Sequence, residues 1–382
     1  MFISKKDLFD WCESQAEEQI SLLTQLAAIP APSHCEHKRA SFIQRWLKNY
    51  GAEDVTIDSA LNVILRISAQ PGIPMLVCMA HTDIVFSDTG PLPVKIENGK
   101  IHAPGVGDDT ANVVALMLCA KFFLTHPEAA SEPMLFVFNS CEEGLGNLKG
   151  VRQIMSDYGE QIREFVSFDC QFDSIITRAV GSERWQVKAS TTGGHSYSDF
   201  GNPNAIHQLS MLISNLYRQG VPQKKGTKTT FNVGLISGGT SVNTIAQSAE
   251  ITYEYRSDDL ESLSFMAQQF KDILEKSRRQ DVVFTVESIG NRPCGAKILD
   301  ETHNILIQRA FNAIKSVTST NPVLCAASTD ANIPLSMGIP AITFGLYRGG
   351  GAHTREEYVD LDSLVPGLKI ALTFLLSEKL TD

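Results

Sequence analysis

Four apolar stretches of strand length each end in side chains that can bind a metal ion. An imidazole or a carboxylate follows each stretch: His81 and Asp83 after residues 74–80, Glu142 and Glu143 after 133–141, Asp169 after 165–168, and His353 after 341–352. An acidic pair, Asp108 and Asp109, stands just before an apolar helical pattern. Because sites in open α/β sheets form at the carboxyl ends of the strands, these side chains can converge despite their distance in sequence.

Imidazole and carboxylate ligands without cysteine are typical of a catalytic zinc, manganese or cobalt site. Their number fits two ions, each with one histidine and one terminal carboxylate, and with one carboxylate shared between them. Such two-metal sites hold the ions about 3.5–4 Å apart and lower the pKa of bound water toward neutrality. A nearby carboxylate that binds no metal can act as the base. The pattern therefore predicts a hydrolytic metal centre.

Each motif also has a simpler interpretation when it is taken alone. An acidic pair commonly opens a helix, because the helix dipole favours negative charge there, and Asp108 could be an N-cap. His353, after three glycines, could be an ordinary loop residue. Cysteine-based hydrolysis through Cys141 would leave the acidic cluster unexplained. Residues 105–107 do not continue into a GxGxxG spacing, which argues against a nucleotide-binding loop.

The elements that must position these residues alternate between helix and strand. Continuous apolar strands between helices indicate a sheet buried on both faces. The expected fold class is α/β, with a mixed, mostly parallel sheet flanked by helices. Its predicted helices cover residues 5–28, 38–50, 111–125, 301–316 and 363–378, and its predicted strands cover 62–67, 74–80, 133–138, 165–168 and 341–346.

The middle of the chain has a different pattern of apolar residues. Its predicted elements follow the order β-α-β-β-α-β, which is typical of a ferredoxin-like α+β unit. Its predicted strands and helices cover 185–191, 204–218, 231–236, 249–255, 260–276 and 282–287. We therefore expect a catalytic domain made of residues 1–182 and 290–382. Residues 183–289 would form a domain inserted into it.

Composition limits the partners and the compartment. The 382 residues include 33 Lys and Arg against 43 Asp and Glu, a net charge of −10. This acidic balance argues against nucleic acid or an anionic membrane as a partner. The chain has no apolar run of about 18 residues, its first residues do not resemble a signal peptide, and its eight cysteines lack paired spacing. We expect a soluble cytoplasmic protein.

Taken together, the motifs resemble the di-zinc peptidase family that includes peptidase T, carboxypeptidase G, aminoacylase and succinyl-diaminopimelate desuccinylase. The resemblance covers essentially the whole chain: the HxD strand end, the PGxGDD segment, the EEG pair, the later aspartate, GGHS and the terminal GGGAH. It implies a metal-dependent hydrolase of peptide or amide bonds with two zinc ions, for which manganese or cobalt are alternatives.

The resemblance also implies a role for each strand-end residue. Five of them would be metal ligands, with His81 and Asp169 on one ion, His353 and Glu143 on the other, and Asp108 bridging both. Asp83 would orient His81 through its second ring nitrogen. Glu142 would be the general base that takes a proton from water and returns it to the leaving amine.

In the inserted domain, which resembles the family's lid, the resemblance implies substrate-binding roles for three residues. His195 of the GGHS segment would support the oxyanion, often from a partner subunit, so a homodimer through the lid is expected. Asn243 and Arg256 would hold substrate, Arg256 through its bidentate fork. The simpler alternatives are a loop histidine at His195 and, for Arg256, a surface ion pair with Asp258 or Asp259.

Departures from the family pattern point to one branch of it. Asp169 stands where the carboxypeptidase and deacylase branches have Glu, and GGGAH with residues 328–332 is similar to peptidase T-like members. Thr110 stands where many relatives have Lys, which we expect to alter local packing more than metal binding. The leading prediction is an exopeptidase that removes the N-terminal residue of short peptides, like an aminopeptidase or tripeptidase. The alternatives are an N-acyl amino acid deacylase and, less favoured, a non-catalytic metal-dependent peptide-binding protein.

Overall fold

A computed structural model describes residues 2–68, 70, 72–295 and 300–381. The chain forms two compact units. The larger unit comprises Met1–Ala179 and Ala296–Asp382, and the inserted unit comprises Val180–Gly295. The boundaries near 182 and 290, as limits of independently folding domains, stay a prediction.

The larger unit is built from helices around one central sheet. Its helices are α1 (Lys5–Ser14), α2 (Ala16–Ala27), α3 (His37–Asn49), α4 (Asn112–Thr125), α5 (Lys149–Tyr158), α8 (Asp300–Thr318), α9 (Asn332–Ser336) and α10 (Leu364–Leu375). Its strands are β1 (Ile3–Ser4), β2 (Thr56–Ile57), β3 (Val63–Ile67), β4 (Met75–His81), β5 (Lys95–Glu97), β6 (Lys100–His102), β7 (Met134–Asn139), β8 (Ile162–Ser167), β9 (Ser174–Ala179), β16 (Val323–Ala327), β17 (Ala341–Thr343), β18 (Gly349–Gly350), β19 (Tyr358–Asp360) and β20 (Leu380–Thr381).

The central sheet has the strand order β16-β9-β17-β8-β4-β7-β3-β2 within the described residues. β4 lies between β7 and β8 and is parallel to both, and β17 is parallel to β8. Every residue of β4 and β7 is buried, as expected for strands covered on both faces. The predicted α/β class with a mixed, mostly parallel sheet is therefore confirmed.

Local details differ from the sequence expectation. The helix predicted over 5–28 is two helices that meet at Gln15, whose backbone N–H donates to Cys12 O at 3.1 Å and so closes the first helix with a tight turn. The edge strand β16 and its neighbour β9 were not predicted, because neither has a long apolar run.

Helices α4 and α10 fill the core of the larger unit against this sheet. α4 is buried on nearly all sides from Asn112 to Phe123, and α10 packs against both α4 and α8. Their apolar character reflects this burial. Among the described residues, no helix is both long enough and apolar enough to cross a bilayer.

The inserted unit is an antiparallel sheet with two helices on one face. Its elements are β10 (Gly181–Ser190), β11 (Gly194–His195), α6 (Ala205–Arg218), β12 (Thr229–Gly238), β13 (Thr244–Ile245), β14 (Ser248–Ser257), α7 (Leu260–Ser277) and β15 (Val283–Arg292). The strand order β12-β14-β10-β15 confirms the predicted ferredoxin-like arrangement. Ser182 pairs with Arg292, so the first and last strands of the unit are neighbours.

Candidate metal centre

The strand register of the larger unit brings the predicted ligands together at one edge of the sheet. His81 is the last residue of β4 and pairs with Asn139, the last residue of β7, three residues before Glu142. Ser167 ends β8 beside Met79 and also pairs with the last residue of β17. The segments carrying Glu142, Asp169 and His353 therefore leave the sheet at the same edge. Asp108 reaches that edge from the loop before α4.

Asp108 lies between the two histidines and offers one oxygen to each. Its Oδ1 is 3.1 Å from His81 Nε2 and its Oδ2 is 3.0 Å from His353 Nε2. His353 Nε2 is also 3.3 Å from Glu143 Oε1. On the other side, potential ligand atoms of His81, Asp108 and Asp169 lie within 4.8 Å of one another. The carboxylate of Asp108 is therefore shared by two separate groups of donors.

These separations fit metal ligands. With Zn–N and Zn–O bonds of about 2.0–2.2 Å and tetrahedral angles, two ligands of one ion lie roughly 3.4 Å apart. The imidazole–carboxylate distances around Asp108, from 3.0 to 3.3 Å, are close to that value. His81 is 1% exposed and Glu143 is 7% exposed, and such a concentration of buried carboxylates needs cationic partners. The donor set suits two divalent cations.

Asp83 organises the residues around His81 and the acidic pair. Its Oδ1 is 3.4 Å from His81 Nδ1 and accepts the backbone N–H of Glu142 at 3.0 Å. Its Oδ2 accepts the backbone N–H of Glu143 at 3.0 Å and the hydroxyl of Ser33 at 2.6 Å. One carboxylate therefore positions the backbone of both glutamates, while His81 Nδ1 lies closer to the backbone O of Asp83, at 3.1 Å. The orienting role of the Asp83 carboxylate toward His81 stays a prediction.

Asp109 is committed to the protein itself. Its Oδ2 accepts the backbone N–H of His81 at 2.9 Å, and its Oδ1 accepts the amide of Asn112 at 2.6 Å. Asn112 in turn donates to Cys170 O and accepts the backbone N–H of Leu346. This buried asparagine joins three of the segments that carry site residues. Sequence reasoning missed it because a single polar residue at a helix start has no distinctive pattern.

The buried arginine Arg39 donates hydrogen bonds to the segment after β4 and to the loop before α4. The Arg39 guanidinium is fully buried and donates to Thr82 O at 3.1 Å and to the Thr110 hydroxyl at 3.0 Å. The Thr110 hydroxyl also donates to Gly105 O. Burial lowers the pKa of Arg39 to about 10, against the raising effect of nearby Asp83 and other carboxylates. Thr110 therefore packs against a buried cation, the guanidinium of Arg39.

The acidic cluster perturbs the protonation of its own members. Burial raises the pKa of both Glu143 and Asp169 to about 7. Hydrogen bonds to Asp108 and Glu143 raise the pKa of His353 to about 10. Burial alone would lower the pKa of His81, but neighbouring carboxylates, Asp109 first among them, raise it well above its usual value. Without bound cations, the site therefore retains protons.

We expect the metal-free protein to lose stability as the pH rises from about 5 to about 9. Folding raises the pKa of Glu143, Asp169 and His353, so the folded state holds protons that the unfolded chain has released over this range. Stability falls with pH wherever the folded state binds more protons. Thermal unfolding of chelator-treated protein should show a falling Tm, by about 1–2 °C for each kcal/mol lost in a chain of this length.

Metal-loaded protein provides the control for this pH series. Because its ligands must be deprotonated to bind the cations, loading should reverse the trend over the same range. A Tm of the metal-free protein that rises with pH would contradict the proposed acidic cluster.

Cys141 does not have the surroundings of a nucleophile. Its thiol is buried, with Sγ 3.3 Å from both His34 Nδ1 and Glu36 Oε1. Burial, with the nearby carboxylates of Glu36 and Asp83, raises its pKa to about 12. Because the thiolate is the reactive form, this environment argues against cysteine-based hydrolysis.

In the inserted unit, His195 and Asn243 lie side by side. The short strands β11 and β13 pair His195 with Thr244, and the backbone N–H of Ser196 donates to Asn243 O at 3.0 Å. His195 Nδ1 accepts the backbone N–H of Tyr197 at 3.2 Å. The neutral imidazole therefore carries its proton on Nε2, and that nitrogen can act as a hydrogen-bond donor.

Arg256 lies away from those two residues. It pairs with Ser182 near the far end of β14, whereas β13 leads into the start of that strand. Arg256 forms a bidentate ion pair with Glu254, at 3.0 and 2.9 Å. The alternative prediction of an ion pair is therefore correct, but its partner is Glu254 and not Asp258 or Asp259. Glu254 lies on the same face of the strand and accepts both hydrogen bonds from the guanidinium.

The fold and this donor set define a metal-dependent hydrolase. The chain belongs to peptidase family M20/M25/M40, whose sequence profile matches residues 77–377. The predicted family and enzyme class are thereby confirmed.

Individual relatives are similar over nearly their full length. The succinyl-diaminopimelate desuccinylase of Corynebacterium glutamicum is 22% identical over 374 residues, which cover 94% of this chain and 96% of that protein. A tripeptidase of Staphylococcus aureus has a TM-score of 0.79 at 20% identity, covering 95% and 98% of the two chains. A dinuclear metal-binding peptidase of Bacillus subtilis has a TM-score of 0.66 at 13% identity, covering 96% and 99%. Those structural similarities show the fold.

Proposed function

We propose that this hydrolase is a dinuclear metal-dependent exopeptidase that removes the N-terminal residue of short peptides. The observation that carries the proposal is Asp108, whose two oxygens face two different histidines at 3.1 and 3.0 Å. That arrangement suits a carboxylate shared by two cations, which we propose to be zinc. The proposed ligand set is His81 and Asp169 for one ion, Glu143 and His353 for the other, with Asp108 between them.

When bound, two divalent cations supply a nucleophile near neutral pH and polarise the carbonyl of the scissile bond. Glu142 is the proposed general base. Its backbone N–H is held by Asp83, its side chain is 5% exposed, and it stands beside Glu143 in the same group of donors around His81. Its carboxylate takes a proton from the attacking water and delivers it to the leaving amine.

Two lines of support favour a peptide over an N-acyl amino acid. Asp169 stands where deacylase-like relatives have Glu, and a tripeptidase is among the similar structures. The desuccinylase relative supports the second candidate, a deacylase that cleaves the same kind of bond in an N-acyl amino acid. Both candidates use the same metal centre, so only the substrate separates them.

We propose that the active form is a homodimer. Within the inserted unit, Arg256 is eight residues along β14 from the end near His195, which corresponds to about 26 Å at roughly 3.3 Å per residue. One short substrate cannot contact both ends of that strand. A second copy could supply His195 and Asn243 to a site that uses Arg256 of the first. The long edge strand β12 carries Leu235 and Ile236, 68% and 61% exposed, which suits pairing with another chain.

Matched substrates test the proposed function. Zinc-loaded protein should hydrolyse a tripeptide with a free N-terminus and should leave the N-acetylated form of that tripeptide intact. N-acetyl and N-succinyl amino acids should be poor substrates. Preference for those acyl amino acids would support the deacylase instead, and cleavage that survives complete chelation would contradict the metal-dependent proposal. Product analysis by mass spectrometry identifies the bond cleaved.

A further inference from the structure

A buried glutamate that no catalytic motif includes holds the loop that carries Asp108. Glu357 is 1% exposed. Its Oε1 accepts the backbone N–H groups of Gly107 and Asp108 at 2.8 and 2.7 Å, and its Oε2 accepts the backbone N–H of Gly105 at 2.8 Å. A single side chain therefore receives three backbone donors from one turn of the loop.

The loop needs such an acceptor because of its conformation. Gly105 has φ +70°, and a Cβ at Gly107 would lie 2.6 Å from the Tyr347 hydroxyl. The loop packs closely against its neighbours, and its backbone conformation directs the N–H groups of Gly105, Gly107 and Asp108 into the protein interior. A buried N–H without an acceptor is destabilising, because it has lost its hydrogen bond to water. The Glu357 carboxylate satisfies three of them and thereby favours this one loop conformation.

Glu357 also lies close in sequence to His353, a proposed ligand of the ion that Asp108 and Glu143 share. Glu357 follows His353 by four residues, and the turn that contains His353 is closed by the backbone N–H of Thr354, which donates to Gly351 O at 3.0 Å. Glu357 precedes β19, whose Tyr358 pairs with His102. The segment that presents His353 is therefore bonded directly to the loop that presents Asp108.

We propose that Glu357 is a positioning residue that fixes Asp108 relative to His353 and so sets the affinity for the ion held by His353 and Glu143. This inference rests on the proposed dinuclear centre. The ion near His81 depends less on Glu357, because His81 ends a buried strand and its backbone is bonded to Asp109. Removing the Glu357 contacts should therefore weaken one metal site selectively.

The test compares Glu357→Gln with Glu356→Gln, a neighbouring exposed residue. Gln keeps the shape of the side chain, but its amide nitrogen turns one acceptor into a donor that faces backbone N–H groups. Equilibrium dialysis against zinc buffers, with elemental analysis of the protein, measures both dissociation constants. We expect Glu357→Gln to weaken one site about 10–100-fold, the range for residues that orient metal ligands, and to change the other less than threefold. Glu356→Gln should match the wild type.

The outcomes separate this inference from the proposed function. Wild-type protein that fails to bind two zinc ions contradicts the dinuclear centre itself. Wild-type protein that binds two, with a Glu357→Gln variant whose two affinities are unchanged or fall equally, overturns the positioning role. A merely structural role would lower the Tm of the metal-free variant without separating the two affinities. If Glu357→Gln does not fold, Glu357→Asp, which keeps the charge but shortens the reach, is judged by the same criterion.

Discussion

Replacing Glu142 with Gln should lower kcat by about 10²–10⁴-fold, the usual contribution of a general base. The substitution preserves the size and the backbone contact of Glu142 to Asp83, so it removes proton transfer and little else. Steady-state kinetics on the preferred tripeptide, together with zinc content by elemental analysis, measure the two effects. We expect two zinc ions per chain to remain bound.

Glu143→Gln is the matched control for Glu142→Gln. Its carboxylate lies 3.3 Å from His353 Nε2, so this variant should lose zinc from one site as well as activity. If Glu142→Gln loses zinc and Glu143→Gln keeps it, the proposed roles of the two neighbours must be exchanged. Full activity in Glu142→Gln would remove the general-base proposal.

Replacing Asp108 with Asn should affect both ions at once. Asn retains one oxygen, but it loses the negative charge and presents an amide to one of the two histidines that now face carboxylate oxygens. Loss of a direct ligand should weaken binding by more than the roughly 10–100-fold seen for residues that only orient ligands. Zinc content should fall below two per chain, and turnover should fall to the level of the chelated protein.

Asp109→Asn distinguishes a metal bridge from a structural aspartate. Both oxygens of Asp109 accept protein hydrogen bonds, from the backbone of His81 and the amide of Asn112. We expect this variant to lose about 1–3 kcal/mol of stability through a mismatched donor and to keep both ions. Retention of zinc by Asp108→Asn together with its loss in Asp109→Asn would transfer the bridging role to Asp109.

Most of the candidate metal centre was predictable because His81, Glu142, Glu143 and Asp169 stand at or shortly after the ends of buried strands, whereas Asp108 comes from the loop before α4 and His353 lies ten residues beyond β17. A run such as β4 is apolar along its whole length, so the polar residues where it ends stand out. The parallel arrangement then requires such ends to meet. The fold class and the β-α-β-β-α-β order of the inserted unit were predictable for the same reason, since both depend on the periodicity of apolar residues.

The supporting residues were not predictable, because their partners are remote. Glu357 lies 252 residues from Gly105, whose N–H it accepts, and nothing in the local sequence marks this pairing. Arg39 similarly stands on the polar pattern of α3 and yet is fully buried. Local patterns report which face of an element is apolar, whereas the partner of a buried polar group is decided by tertiary packing.

The separation of the three proposed substrate-binding residues within the inserted unit was also not predicted. His195, Asn243 and Arg256 were grouped by their resemblance to substrate-binding positions, but their separation along β14 depends on how that strand pairs. The strand pairing places His195 and Asn243 at the short β11–β13 pair, which leads into the start of β14, and Arg256 near the other end of β14.

The pairing of Ser182 with Arg292 has a consequence for how such a chain can arise. Because the first and last strands of the inserted unit are neighbours, both crossings into the rest of the polypeptide occur at one spot. An insertion with adjacent ends is the kind that a host domain tolerates, so the unit can sit within the larger one without interrupting the strand order of the central sheet.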